Sequence, residues 1–202
     1  FIEINNGGWD RPEYIRSGEQ MLELVELEPF QKGWLAATWP DQAGFFGDGK
    51  CAMAFMGNWM YGAQASNSAS GEGLGDSNMG MFNMPMTNGG LGDSGDTLGG
   101  INGWLFSSSA SDAAVELMMH YISLDIQKED ASKGAYIPIV KGADVSLTNP
   151  FLQQVAKNIS NSEYHQIFYD QFLGADIGRV VNDVSTDLAA GIITPEEATQ
   201  AV

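Results

Sequence analysis

The sequence predicts an α/β protein, because short apolar runs bounded by glycine occur together with amphipathic helical patterns. The chain has 202 residues, of which 44% are hydrophobic, so it can bury a sizeable core. Apolar runs of about five to eight residues are too short for good helices and are typical of strands covered on both faces. The longer segments repeat their apolar residues at the 3.6-residue period of a helix.

Three strands are predicted, each next to a loop. They are Lys50–Met56, Met79–Met86 and Gly103–Ser107. Residues 62–78 and 87–100 are rich in glycine, serine and asparagine, so both are predicted to be loops that could serve as hinges or lids.

The first predicted helix has a clear start and a clear end. Asp10 is the expected N-cap, Pro12 lies in the first turn, and Glu13 completes a capping box. Pro29 ends the helix. A short second helix is predicted near Gln42–Phe46.

Further along the chain, the sequence predicts three amphipathic helices and a short final one. Asn149 and Pro150 form the start of the middle amphipathic helix, and Thr194, Pro195 and Glu197 form a capping box with proline at the first helical position. The three apolar stripes are Val115, Met118, Met119 and Ile122; Leu152, Val155, Ala156 and Ile159; and Ile177, Val181, Val184 and Leu188.

Composition argues against several classes of function. The formal net charge is −17, from 26 acidic and 9 basic residues, whereas binding to nucleic acid or to an anionic membrane needs clustered Lys and Arg. No apolar run reaches the roughly 18 residues that span a bilayer. The single cysteine, Cys51, cannot form an internal disulfide and is interpreted as a buried, inert thiol. No metal site or cofactor is predicted, because His120 and His165 lack partners at ligand spacing.

A phosphate-binding loop is suggested only by spacing. Gly44–Cys51 has the pattern G-x-x-x-x-G-K, but a helical pattern precedes it, a strand follows it, and the last position is Cys. A helix-to-strand turn with a left-handed Gly49 fits better. The sequence has no G-x-S-x-G elbow and no recognisable carboxylate pair, so no catalytic residue is predicted.

Two tryptophans are the best binding candidates. Trp59 follows the first predicted strand and is preceded by Asn58, and Trp104 follows a glycine turn that contains Gly100 and Asn102. Ligands of α/β proteins bind in loops at strand ends. An indole offers a flat apolar surface to the C–H face of a sugar, and an amide side chain can bind its hydroxyl groups. The alternative is that both tryptophans pack in the core.

Asp176 and Arg179 are weaker candidates at the start of the helix that carries Ile177 and Val181. Arg179 falls on the polar side, away from the apolar stripe. The alternatives are a ligand contact and an ordinary solvated helix face.

These motifs together resemble those of family 1 extracellular solute-binding proteins, the sugar receptors of bacterial ABC importers. The run Phe46–Trp59 resembles the family signature F-x-x-G-K-A-A-M-x-x-x-G-x-W. Tyr136–Ile139 resembles its return crossing, and Ala190–Ala198 resembles its C-terminal G-x-x-T-x-E-E-A helix. The order of the motifs matches along nearly the whole chain.

The resemblance implies a type II periplasmic-binding-protein fold of two lobes with sugar bound between them. Residues 1–98 would form the later part of the C-terminal lobe, 99–135 part of the N-terminal lobe after a crossover, and 136–202 the return to the C-terminal lobe with its final helices. Since family members are longer and the chain starts at Phe1, we expect the N-terminal half and a leader to be missing. Trp59 would match the family's sugar-stacking tryptophan. Gly178 and Arg179 replace aromatic contacts of maltodextrin-binding members, which argues against that specificity.

The expected function is capture of a mono- or oligosaccharide in the periplasm or outside the cell, with delivery to the transmembrane permease subunits. The only expected membrane contacts are a lipid anchor and docking to the permease. Three alternatives remain open: a carbohydrate-active hydrolase, a receptor for a non-sugar polyol, and a cell-surface interaction protein without a small ligand.

Overall fold

The computed structural model describes residues 8–90, 92–100, 102–134 and 136–202. Two compact units are present. The first combines the described part of Phe1–Thr38 with Ile167–Val202, and the second is the described part of Trp39–Gln166.

The first unit consists of helices. They are α1 (Pro12–Val25), α7 (Tyr169–Phe172), α8 (Ala175–Ala189) and α9 (Pro195–Ala201). The centre of this packing is Gly18 of α1, which is buried against Leu188 and Pro195. The helix α1 therefore packs against α8 and α9 at its smallest residue.

The two predicted capping boxes have different outcomes. At α9 the prediction is confirmed: Thr194 accepts a hydrogen bond from the Glu197 amide, and the Glu197 carboxylate accepts one from the Thr194 amide. At α1 it is wrong, because the N-cap position is Arg11 and no side chain caps the helix. Glu13 pairs with Arg11 instead, at 3.1 Å, so its carboxylate does not reach back to Asp10.

The second unit contains the other helices, one described strand and the first two residues of the other, whose last residue, Ile167, belongs to the first unit. The helices are α2 (Trp39–Gly47), α3 (Met60–Asn67), α4 (Asp112–Tyr121), α5 (Leu124–Ser132) and α6 (Pro150–Asn161). The strands β1 (Thr97–Gly99) and β2 (His165–Ile167) form a two-stranded parallel sheet. A small core of Ala131, Leu147 and Leu152 holds α5 and α6 together.

Most of the predicted helices of this unit are confirmed. Asn149 caps α6 by accepting hydrogen bonds from the amides of Phe151 and Leu152, and Ser111 caps α4 by accepting one from Ala114. The predicted turn at Gly49 is also confirmed, with a φ of 70°. The predicted short helix near Gln42–Phe46 is longer than expected and spans all of α2.

The prediction of a loop over residues 62–78 is wrong for its first six residues, because α3 extends to Asn67. Gln64 explains the difference, because its side chain is only 2% exposed. Its amide donates to the carbonyls of Tyr61 and Leu74, and its oxygen accepts a 2.7 Å hydrogen bond from the Leu74 amide. One buried glutamine thus fixes both the helix and the loop that follows it.

None of the three predicted strands is paired in the described structure. Residues 52–56, 80–86 and 103–106 make no backbone-to-backbone hydrogen bonds with the described residues. A strand needs a neighbouring strand to satisfy its backbone groups, and no described strand pairs with these three. Their large apolar side chains are exposed instead of covered: Met53, Phe55, Phe82, Met84, Leu105 and Phe106.

These exposed side chains leave apolar surface open that folded monomers usually bury. The small parallel sheet does not by itself identify a type II binding-protein fold, which stays a prediction. So do the domain boundaries after residues 98 and 135; Ala135 lies outside the described residues.

Candidate functional site

The seven predicted site residues lie on three segments. Asn58 and Trp59 lie at the start of α3, and Gly100, Asn102 and Trp104 lie in the extended segment after β1; both segments belong to the second unit. Asp176 and Arg179 lie on α8 in the first unit. Five of the predicted site residues therefore belong to one unit, and the last two belong to the other.

Trp59 begins α3 and does not extend a strand. It occupies the N-cap position, and its side chain is 44% exposed. Its six-membered ring lies against Gly57 so closely that a Cβ there would be 2.7 Å from Cε3. Gly57 is therefore required for the position of the indole, and the ring is held in place while nearly half of it remains accessible.

Trp104 is the most accessible tryptophan among the described residues, with 67% of its surface exposed. Tyr121, the last residue of α4, meets it edge-on, with the ring centroids 6.3 Å apart and the planes at 88°. An edge contact of this kind orients an aromatic ring without stacking on it. Gly100 and Asn102 in the same segment are also exposed, and Ile101 between them lies outside the described residues.

Asp176 and Arg179 lie on the solvated side of α8, as the periodicity predicts. Arg179 Nη1 contacts Asp183 Oδ2 at 2.9 Å, one helical turn further on. Both side chains are well exposed, and such a pair contributes about 0.3–0.5 kcal/mol. Asp176 is in the first turn of α8, where its negative charge is favoured by the helix dipole.

Sequence reasoning missed a polar cluster at the two-stranded sheet. His165 Nδ1 lies 2.8 Å from Thr97 Oγ1, and Thr97 Oγ1 donates to Ser162 Oγ at 3.2 Å. The imidazole also lies against Gly99, where an added Cβ would be 3.0 Å from Cε1. Thr97 and His165 are 68 residues apart, so no local pattern brings them together.

A second polar cluster fixes the segment that follows α5. Gln127, only 2% exposed, donates to the Tyr136 hydroxyl at 2.5 Å and accepts from the Ile139 amide at 3.2 Å. The Tyr136 hydroxyl in turn donates to Asp130 Oδ2 at 2.9 Å. Desolvation, followed by the hydrogen bond to Asp130, raises the pKa of Tyr136 well above its ordinary value. The segment Tyr136–Ile139 is thus bound to α5 by side-chain hydrogen bonds.

An open cleft of about 450 Å³ lies beside the second predicted strand. It is lined by Met81–Met86 and Ser94 and by two residues of α6, Gln154 and Asn158. Asn158 donates to Asn83 across it at 2.8 Å. None of the seven predicted site residues lines this cleft.

Comparisons with known proteins give no match, either to a protein-family model or to a curated protein. The resemblance to family 1 solute-binding proteins therefore depends on the quoted motifs alone. Across the part of the chain that the structure describes, no helix is both long and apolar enough to cross a membrane. In that same part, no three His, Cys, Asp or Glu side chains come together as a metal site requires.

Proposed function

We propose that the protein is the solute-binding component of a bacterial ABC importer, which captures a mono- or oligosaccharide and delivers it to the permease. Two independent features support the proposal. The first is the ordered set of family 1 motifs, from Phe46–Trp59 to the helix at Thr194. The second is the presence of two exposed, oriented indoles in one unit, each beside glycine and asparagine.

The observation that carries the proposal is the accessibility of Trp104. Tyr121 meets the indole edge-on and does not stack on its face. The exposed face can therefore stack on the apolar C–H face of a pyranose. Asn102, two residues earlier and exposed, can exchange hydrogen bonds with the hydroxyl groups at the sugar's edge. Gly103 and Gly100 allow the ligand to approach the backbone closely.

Trp59 serves as the second platform in this proposal. Its ring is already held against Gly57, so little side-chain freedom is lost when a ligand stacks on it. Asn58 precedes it and is half-buried, and its amide group can exchange hydrogen bonds with hydroxyl groups. Two rigid indoles with adjacent amides suit a ligand that has both apolar faces and hydroxyl groups.

The proposed mechanism is closure around the bound sugar. The sugar favours the closed form because it makes contacts there that the open form lacks. In this proposal the receptor works in the periplasm or outside the cell and meets the membrane only through a lipid anchor or the permease subunits. The net charge of −17 favours neutral sugars over phosphorylated ones, since capture of phosphate prefers Arg and Lys.

A thermal-shift panel of mono- and oligosaccharides and polyols tests the proposal. A ligand at 100 times its Kd stabilises by roughly 2.7 kcal/mol, which raises the Tm of a protein of this size by about 5–10 °C. We expect one group of sugars to give such a shift. We expect Trp59→Ala to reduce it, and Trp39→Ala, which removes another exposed indole from outside the site, to leave it unchanged.

The other outcomes of the panel identify the alternatives. A shift with polyols alone would change the solute class, and the appearance of cleaved sugar would indicate a hydrolase. No shift with any compound would overturn the proposal.

A further inference from the structure

The hydrogen bonds around Thr97 determine which nitrogen of His165 carries a proton. Ser162 Oγ donates its only hydrogen to the Tyr164 carbonyl at 2.5 Å. Thr97 Oγ1 donates its only hydrogen to Ser162 Oγ at 3.2 Å. Since each hydroxyl group has one hydrogen to give, we assign Nδ1–H as the donor in the 2.8 Å contact between His165 Nδ1 and Thr97 Oγ1.

The other ring nitrogen is consequently an acceptor. In a neutral imidazole protonated at Nδ1, the lone pair is on Nε2. Among the described residues, no group donates a hydrogen bond to this atom. Nε2 lies 3.3 Å from the position where a Cβ of Gly99 would be, and the His165 side chain is exposed. The structure thus presents an oriented, accessible acceptor beside the backbone of Gly99.

This acceptor adjoins the proposed binding segment. Gly99 directly precedes Gly100, and Asn102 and Trp104 follow within five residues. The absence of a side chain at Gly99 is what allows the imidazole to approach, because a Cβ would be only 3.0 Å from Cε1. All of these residues belong to the second unit, so the juxtaposition is internal to it.

We propose that His165 is a further ligand-binding residue, whose Nε2 accepts a hydrogen bond from a hydroxyl group of the saccharide at the Gly99–Trp104 segment. The inference rests on the proposed function. Thr97 is the positioning residue, because its hydrogen bond to Nδ1 fixes both the tautomer and the ring orientation. A hydroxyl group is the donor that fits best, since it can donate to Nε2 while its oxygen can still accept a further hydrogen bond.

Two substitutions at residue 165 separate the roles of the two nitrogens. In His165→Asn, the amide group occupies the position of Nδ1 and can still contact Thr97. The shorter asparagine side chain places no atom at the position of Nε2. In His165→Gln, the longer side chain places its amide group near Nε2. Loss of one hydrogen bond to a neutral ligand weakens binding roughly 3- to 10-fold. We expect this loss in His165→Asn and a smaller one in His165→Gln.

The experiment measures the Kd of the sugar found in the panel for wild type, both variants, Thr97→Val and Trp104→Ala. Thr97→Val should weaken binding because the ring is no longer oriented. If the wild type binds a sugar and Trp104→Ala weakens it, but His165→Asn binds like wild type, the inference about His165 is overturned and the proposed function stands. If the wild type binds no sugar, both are overturned.

A second readout does not depend on a ligand. Imidazole ¹⁵N chemical shifts of the purified protein at pH 8 distinguish a protonated Nδ1 from a protonated Nε2. The hydrogen-bond chain predicts protonated Nδ1 and unprotonated Nε2 for His165, and Thr97→Val should remove this preference. A proton found on Nε2 of neutral His165 would overturn the inference whatever the binding data.

Discussion

Gly18 of α1 lies directly against Pro195 of α9: a Cβ at residue 18 would be 2.9 Å from the Pro195 Cβ. It would also be 3.3 Å from Leu188 Cδ2 of α8. Since both neighbours are buried, neither can move away freely. The absence of a side chain at one position therefore determines how closely three helices of the first unit pack.

Gly18→Ala is predicted to destabilise the protein. Overpacking costs about 1–3 kcal/mol, and the better helix propensity of alanine returns up to about 1 kcal/mol, so we expect a net loss of about 1 kcal/mol in the free energy of unfolding. The matched control is Gly62→Ala in α3, because an added Cβ there meets no atom within 4 Å. This variant should gain up to about 1 kcal/mol in the free energy of unfolding. Urea denaturation of both variants checks the prediction, which is wrong if Gly18→Ala is as stable as wild type.

The capping box at α9 gives a second stability prediction. Thr194→Ala removes the hydrogen bond from the Glu197 amide and should cost about 1 kcal/mol. Asp10→Ala is the control: the sequence suggests that Asp10 is a cap, but the structure places Arg11 at that position without a side-chain bond. We expect Asp10→Ala to change stability by only a few tenths of a kcal/mol. Equal losses in the two variants would contradict the structure at α1.

The raised pKa of Tyr136 predicts a loss of stability in alkali. The folded state holds the phenol proton more tightly than the unfolded state does, so the contribution is complete below the ordinary pKa of 10.0. It is lost as the pH rises above 10.0 towards the folded-state pKa. Unfolding midpoints in urea, measured from pH 8 to 11, should fall more steeply for wild type than for Tyr136→Phe, which has no proton to lose. Parallel curves would show that Tyr136 ionises normally.

The unpaired segments predict a pattern of hydrogen exchange. The amide groups of residues 52–56 and 80–86 make no backbone-to-backbone hydrogen bonds with the described residues, so they should exchange within seconds. Residues 153–158, in the middle of α6, should exchange far more slowly. Mass spectrometry of peptic peptides measures both. Strong protection of the first two segments would mean that they are paired with another strand in the purified protein.

Local signals predicted most of the helices. The caps at Asn149 and Thr194 act within one turn of their own helices, and the stripe from Ile177 to Leu188 needs only the helical period. Such signals depend on neighbours in sequence, so they predict a helix independently of the tertiary contacts that it makes. Asp10 shows the limit of this rule, because the nearby Arg11 removes the Glu13 carboxylate from the expected capping box.

Non-local relationships were not predictable in the same way. The pattern at Lys50–Met56 is that of a buried strand, but pairing is a property of two segments, and no described segment pairs with it. The helix at Gln64 lies in a sequence rich in glycine and serine, and it is held by contacts with Leu74, ten residues away. Of the candidate site, the two indoles are predictions from a strand-end context that the structure does not show at Trp59, which occupies the N-cap position of α3. The position of His165 beside Gly99 depends on the fold.

The affinity of Trp104→Ala for the saccharide tests the central claim most directly. The claim is that an accessible indole in the segment after β1 stacks on a sugar. Because Trp104 is 67% exposed, its removal should leave the Tm of the free protein nearly unchanged. We predict that isothermal titration calorimetry gives a Kd at least about 10-fold weaker than that of wild type, since stacking and apolar contact are both lost. An unchanged Kd for a sugar that wild type binds would contradict the account.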